Sequence, residues 1–118
     1  NNRKLNALIE VNVSGEESKN GVEASHALEL VRQVSVLPNL NVRGLMTMPP
    51  YSDNPETSRP YFKALRSLRD EISIAAISGI RMDELSMGMT DDFEVAIEEG
   101  ATIIRVGRAI FGERRYPV

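Results

Sequence analysis

Apolar residues alternate with others at the start of the chain: Leu5, Ala7, Ile9, Val11 and Val13 are separated by Asn6, Leu8, Glu10 and Asn12. A period of two predicts a strand. Ser14-Gly15 ends it, and a polar loop, Glu16 to Asn20, leads to a helix over about 22–36. The stripe of that helix is Ala27, Leu30, Val31 and Val34, and Pro38-Asn39 breaks it. A second strand runs from Val42 to Met48 and is closed by Pro49-Pro50. Tyr51 to Thr57 reads as loop. Ser58 suits an N-cap, Pro60 suits a first helical turn, and Phe62, Leu65, Leu68 and Ile72 follow at helical spacing. A third strand is expected over Glu84 to Met87. Thr90 then caps a short helix with Asp91 and Asp92 in its first turn, Phe93 and Ile97 as its core face and Gly100 as its stop. A fourth strand spans Thr102 to Val106, and Ala109 to Tyr116 reads as a terminal turn or short helix.

Strands that alternate with helices demand parallel pairing through right-handed crossovers. Four such units suit either an open sheet or half of an eight-stranded barrel. Polar groups share one face near strand ends: Glu10 with Asn12, Ser86 with Gly88, and Arg105 with Gly107. That favours about half of a TIM-type (β/α)8 barrel with a ligand mouth at the strand C-termini. An open doubly wound sheet would also bind there.

Composition narrows the partners. The 118 residues form one unit, 1–118, with a net charge of −3 and scattered arginines, so nucleic acid is not expected. The absence of cysteine excludes disulfides, thiolate zinc sites and a cysteine nucleophile, and it suits a reducing, cytoplasmic setting. No apolar run reaches the ~18 residues of a membrane span, so no membrane partner is expected. The chain opens Asn1-Asn2-Arg3-Lys4 without Met, which leads to the expectation of further residues upstream.

Two small-residue turns carry the candidate chemistry. Ser86-Met87-Gly88 and Gly107-Arg108 lie about twenty residues apart, each after a strand, where backbone N–H groups can face an anion. Arg105 sits inside the last strand, where a charge needs a partner. Together they suggest a phosphorylated, partly aromatic ligand. Each feature has a simpler reading. A Ser/Gly turn also ends a strand compactly, Arg105 could pair with Glu10 or Glu84, and Met46 and Met48, on the inward face of strand two, could be packing residues. Asp91-Asp92 read as helix-terminus residues rather than a metal site. Asp83-Glu84 and Glu98-Glu99 read as solvated edges, and His26 receives no role.

Several blocks now combine: Val11 to Gly21, Arg43-Gly-Leu-Met-Thr-Met48, Leu85-Ser-Met-Gly-Met-Thr-Asp-Asp-Phe93 and Gly100 to Tyr116. They resemble the pyridoxal 5′-phosphate homeostasis protein family, which is similar to the N-terminal barrel domain of alanine racemase. The resemblance covers nearly the whole chain, in order. It implies that pyridoxal 5′-phosphate is held at the barrel mouth by Ser86, Met87, Gly88, Gly107 and Arg108 around the phosphate. Arg105 would face the pyridine nitrogen and Met46 the ring. A guanidinium keeps its proton, so the ring nitrogen would stay unprotonated and a weak electron sink. The family's Schiff-base lysine ends the first barrel strand, and none of Lys4, Lys19 and Lys63 stands in that motif. The chain is therefore read as a C-terminal half, a cofactor carrier or buffer without robust catalysis. Two alternatives are carried: a fragment of an amino-acid racemase, and a half-barrel that self-associates as a homodimer or pairs with the missing half-barrel.

Overall fold

The computed structural model describes residues 4–15 and 20–106. Four strands form one sheet: β1 (Leu5–Asn12), β2 (Val22–Glu23), β3 (Leu40–Met46) and β4 (Glu84–Ser86). Their spatial order is β2-β1-β3-β4, and every pair is parallel. Helix α1 (Ala24–Ser35) connects β2 to β3, α2 (Arg59–Ile74) connects β3 to β4, and α3 (Phe93–Glu98) follows β4. The terminal turn expected over 109–116 and most of the loop after β1 lie outside the described residues.

One face of the sheet builds the core. Val11, Val42, Leu45 and Leu85 meet Ala27 and Val31 of α1, then Phe62, Leu65, Leu68 and Ile72 of α2, all of them buried. The α2 quartet is the one expected from its spacing. On α1 the buried pair is Ala27 and Val31; Leu28 and Val34 pack at its edge, and Leu30 is half-buried outside the cluster. This helix begins two residues later than expected, because Val22 and Glu23 pair with Val11 and Asn12 instead.

Strand β3 contains a bulge that strict alternation does not foresee. Ala7 faces Val42, but Leu8 faces Gly44, so Arg43 is an extra residue. The bulge lets Val42 and Leu45, three apart, both enter the helix-covered core, and it turns Met46 to the opposite face. Gly44 permits the close approach of β4, since a Cβ there would fall onto the Glu84 carbonyl.

The other helix boundaries also shift. A 3₁₀ turn, Pro55–Thr57, occupies part of the expected loop, with Asn54 Oδ1 accepting the Glu56 N–H at 3.1 Å. That turn feeds directly into α2, so Ser58 already has helical angles and makes no side-chain cap. Asp91 and Asp92 precede α3 rather than forming its first turn, and Asp92 Oδ1 turns back to accept the Met89 N–H at 2.8 Å. Val95 and Ala96 are the buried face of α3, while Ile97 is 51% exposed. Ala96 packs against Gly88, at φ +103°, where a Cβ would lie 2.6 Å from Ala96 Cβ.

The expected fourth strand is reduced to one bridge, Ser86 with Ile103. The segment still runs beside β4: Thr102 N–H donates to Leu85 O at 2.9 Å, and Arg105 N–H donates to Gly88 O at 3.0 Å. The acidic pairs are only in part solvated edges: Asp83 and Glu98 are exposed and Glu84 is half-buried, yet each pair is engaged by neighbouring side chains. Asp83 meets Arg43 at 3.3 Å and Arg81 at 3.0 Å. Glu84 accepts the Thr102 hydroxyl at 2.7 Å. Glu99 is buried, and Arg59 binds it at 2.6 Å while also holding Glu98 and Glu56, each at 2.7 Å. This cluster ties the start of α2 to the end of α3.

Candidate functional site

The C-terminal ends of β1, β3 and β4 surround a cleft of about 650 Å³. Glu10 forms one side, Thr47 to Ser52 a second, and Ser86 to Asp92 with Arg105 a third. Parallel strands direct the loops after them to one end of the sheet, so residues distant in sequence converge here.

The pairing registers align the inner row. Glu10 stands beside Met46, Met46 beside Ser86, and Ser86 beside Ile103. Because Val11, Leu45 and Leu85 point into the helix-covered core, Glu10, Met46 and Ser86 project from the other face.

Ser86 is buried, and its hydroxyl has no hydrogen-bond partner among the described residues. Gly88 N–H likewise donates to no protein group among the described residues, and the positive φ exposes backbone to the cleft. Met87 is different. Its side chain is buried in the core, and its N–H donates to Ile103 O at 3.0 Å, so that N–H is not available to an anion.

Arg105 is exposed, not enclosed in the sheet as its position in a strand suggested. Neither Glu10 nor Glu84 pairs with it. Its Nη1 lies 3.5 Å from Met48 Sδ and its Nη2 lies 3.9 Å from Met46 Sδ. The guanidinium thus reaches back across β4 to two soft, weak acceptors, and no carboxylate among the described residues lies within ion-pair distance. Met46 supports Arg105 and is not part of the cleft wall; Met48 belongs to both. Gly107 and Arg108 lie outside the described residues.

Sequence reasoning missed Thr47. It is buried, and its hydroxyl donates to Val11 O at 2.7 Å, fastening the ends of β1 and β3 beneath the cleft. Its position between two methionines marked it only as the opposite face. Asn12, placed with Glu10 on the polar face of the first strand, accepts from Ser14 N–H and Gly15 N–H, each at 3.2 Å, and shapes the turn after β1. Tyr51, 79% exposed, and Pro49-Pro50 form a rim with no periodic signal.

A parallel sheet with helices packed on one face and a cleft at its C-terminal end is the arrangement of (β/α) barrel units. The chain belongs to the alanine racemase N-terminal domain family, whose model matches residues 1–115. It is 56% identical over 116 residues to the pyridoxal phosphate homeostasis protein of Aquifex aeolicus, covering 98% of this chain and 50% of that protein. The chain thus spans about half the length of the curated relatives it matches. A crystal structure of a protein from Bifidobacterium adolescentis is similar at 44% identity and TM-score 0.86, covering 92% of this chain and 44% of that one. PipY of Synechococcus elongatus, in a structure with PLP bound, matches at 29% identity and TM-score 0.75, over 88% of this chain and 47% of that one. The parallel β/α units described above account for about half of a TIM-type barrel. No described helix is long and apolar enough to cross a membrane.

Proposed function

We propose that this chain binds pyridoxal 5′-phosphate in the cleft and serves cofactor homeostasis in the cytoplasm, as a carrier or buffer rather than a catalyst. The observation that carries the reading is Arg105 beside the Ser86 hydroxyl and Gly88 N–H: among the described residues the guanidinium has no carboxylate partner and the other two have no hydrogen-bond partner. A phosphorylated pyridine suits this donor set. Ser86 and Gly88 offer donors for phosphate oxygens, together with Gly107 and Arg108. Arg105 offers a permanent donor to a ring nitrogen. Met48 gives an apolar surface for a flat ring, and Met46 holds the guanidinium from below.

When bound, such a cofactor supplies a reactive aldehyde and an electron-withdrawing ring. This chain's part is to fix the phosphate and hold the ring nitrogen without giving it a proton, which restrains the ring as an electron sink. The names of the curated relatives and the cofactor in the PipY structure support the reading.

Titration with pyridoxal 5′-phosphate, competed by inorganic phosphate, tests it. Saturable, phosphate-competed binding is expected, weakened about tenfold by Arg105→Ala, the size of one hydrogen bond to a charged group. Binding without phosphate competition, or unchanged in Arg105→Ala, would refute the assignment of these residues.

A further inference from the structure

The geometry points to Glu10 as a specificity-determining residue that favours ligands with a cationic group on the 4′ carbon, pyridoxamine 5′-phosphate over pyridoxine 5′-phosphate. The inference rests on the reading of the cleft as a cofactor site. Glu10 and Arg105 stand on opposite flanks. Glu10 projects from β1 beside Met46, while Arg105 comes from beyond β4 and ends at the Met46 and Met48 sulfurs. Adjacent strands lie ~4.8 Å apart. Glu10 is on the strand next to the one that carries Met46, and it lines the same cleft as Arg105 and Met48.

A pyridine ring makes this separation meaningful. Its 4 position is para to the nitrogen, so a ring whose nitrogen meets Arg105 sends its 4′ substituent to the far end, toward β1. There the Glu10 carboxylate is half-buried and has no hydrogen bond or ion pair among the described residues. A partly desolvated carboxylate gains from a cation and gains less from a neutral hydroxyl. The other cleft carboxylates, Asp91 and Asp92, lie on the loop after β4, and Asp92 already accepts the Met89 N–H. Glu10 is thus the carboxylate across the cleft from Arg105.

The two ligands differ only in that 4′ group, amine or hydroxyl, and neither needs a covalent bond to the protein. Both are titrated into the protein and into Glu10→Gln. The unaltered protein should bind pyridoxamine 5′-phosphate about fivefold more tightly, the scale of a partly exposed ion pair. In Glu10→Gln the ratio should fall to about one, with pyridoxine 5′-phosphate affinity held within about twofold as the folding control. Equal affinities in the unaltered protein would overturn the inference, as would a preference that survives the substitution, which would move it to Asp91 or Asp92. If neither compound binds while pyridoxal 5′-phosphate does, Glu10 loses the role and the cofactor reading stands. If none of the three binds, the cofactor reading itself falls and this inference with it.

Discussion

Arg105 shows how a residue can be legible in type and position yet not in environment. Its place in a strand-like segment suggested an enclosed charge with a carboxylate partner, but the guanidinium rests on two thioethers. Sulfur is a weak acceptor, so the contact orients the guanidinium without neutralising it, which leaves its charge for a ligand. Replacing both Met46 and Met48 by leucine conserves volume and should cost under about 1.5 kcal/mol of stability. It should also weaken pyridoxal 5′-phosphate binding about threefold, the value of one weak hydrogen bond. Unchanged affinity by titration would show that the sulfurs do not position Arg105. Gly88 is the complementary case. It combines a left-handed φ with contact against Ala96, so Gly88→Ala adds strain and overpacking together. A loss of about 2–4 kcal/mol is expected in denaturant unfolding; a loss under 1 kcal/mol would mean that α3 moves away at little cost.

At the scale of elements, Arg59 links two helices through its carboxylate partners. It joins Glu56, Glu98 and the buried Glu99, so α2 and α3 share one cation. Arg59→Ala would leave Glu99 with Arg66, 3.4 Å away, as its remaining cation. The midpoint of denaturant unfolding should fall, by less than for a fully buried pair because Arg59 keeps 26% of its side chain exposed; an unchanged midpoint would mean that Arg66 alone suffices for Glu99. The hydrogen bond from Arg59 holds the Glu56 carboxyl below its ordinary 4.5. A depressed value means that this pairing stabilises above pH 4.5 and is lost as pH falls through the lowered value. Glu56→Gln should therefore reduce the acid sensitivity of the melting temperature below pH 4.5 and leave its slope near neutrality unchanged. Equal acid slopes for both proteins would remove Glu56 from that account. This cluster was illegible beforehand, since charges at 56, 59, 98 and 99 have no shared period and meet only after α2 and α3 pack. The α2 core was legible, because Phe62, Leu65, Leu68 and Ile72 carry their own 3.6-residue repeat. The short strand at Val22-Glu23 was not, because two residues hold no period and their pairing depends on the edge of β1.

For the molecule as a whole, the two sheet faces divide the labour. The helix-covered face was readable as the set of apolar strand positions, apart from the parity change that Arg43 introduces at its bulge. The opposite face was readable only as polar. Which residues align there depends on register, and the row Glu10, Met46, Ser86 follows from pairings between residues 36 and 40 positions apart. That row makes a quantitative prediction about coupling between binding and folding. A ligand in the cleft touches the ends of β1, β3 and β4 at once, beside the bonds that join them, such as Thr47 to Val11 and Thr47 to Ser86. Unfolding would separate every one of these contacts, so binding is to the folded state alone. At a hundredfold excess over the dissociation constant, pyridoxal 5′-phosphate should then add about 2.7 kcal/mol. For a domain of this size that corresponds to a rise in melting temperature of about 10 °C. Inorganic phosphate, which reaches the Ser86–Gly88 side but not Glu10 or Met48, should raise it less at the same fold excess over its own constant if it also binds a loosened state in which β1 has parted from β3. Equal rises at matched saturation would mean that the phosphate side alone unfolds with the whole sheet. The cleft would then be a rigid part of one cooperative unit rather than a seam between strands that the ligand closes.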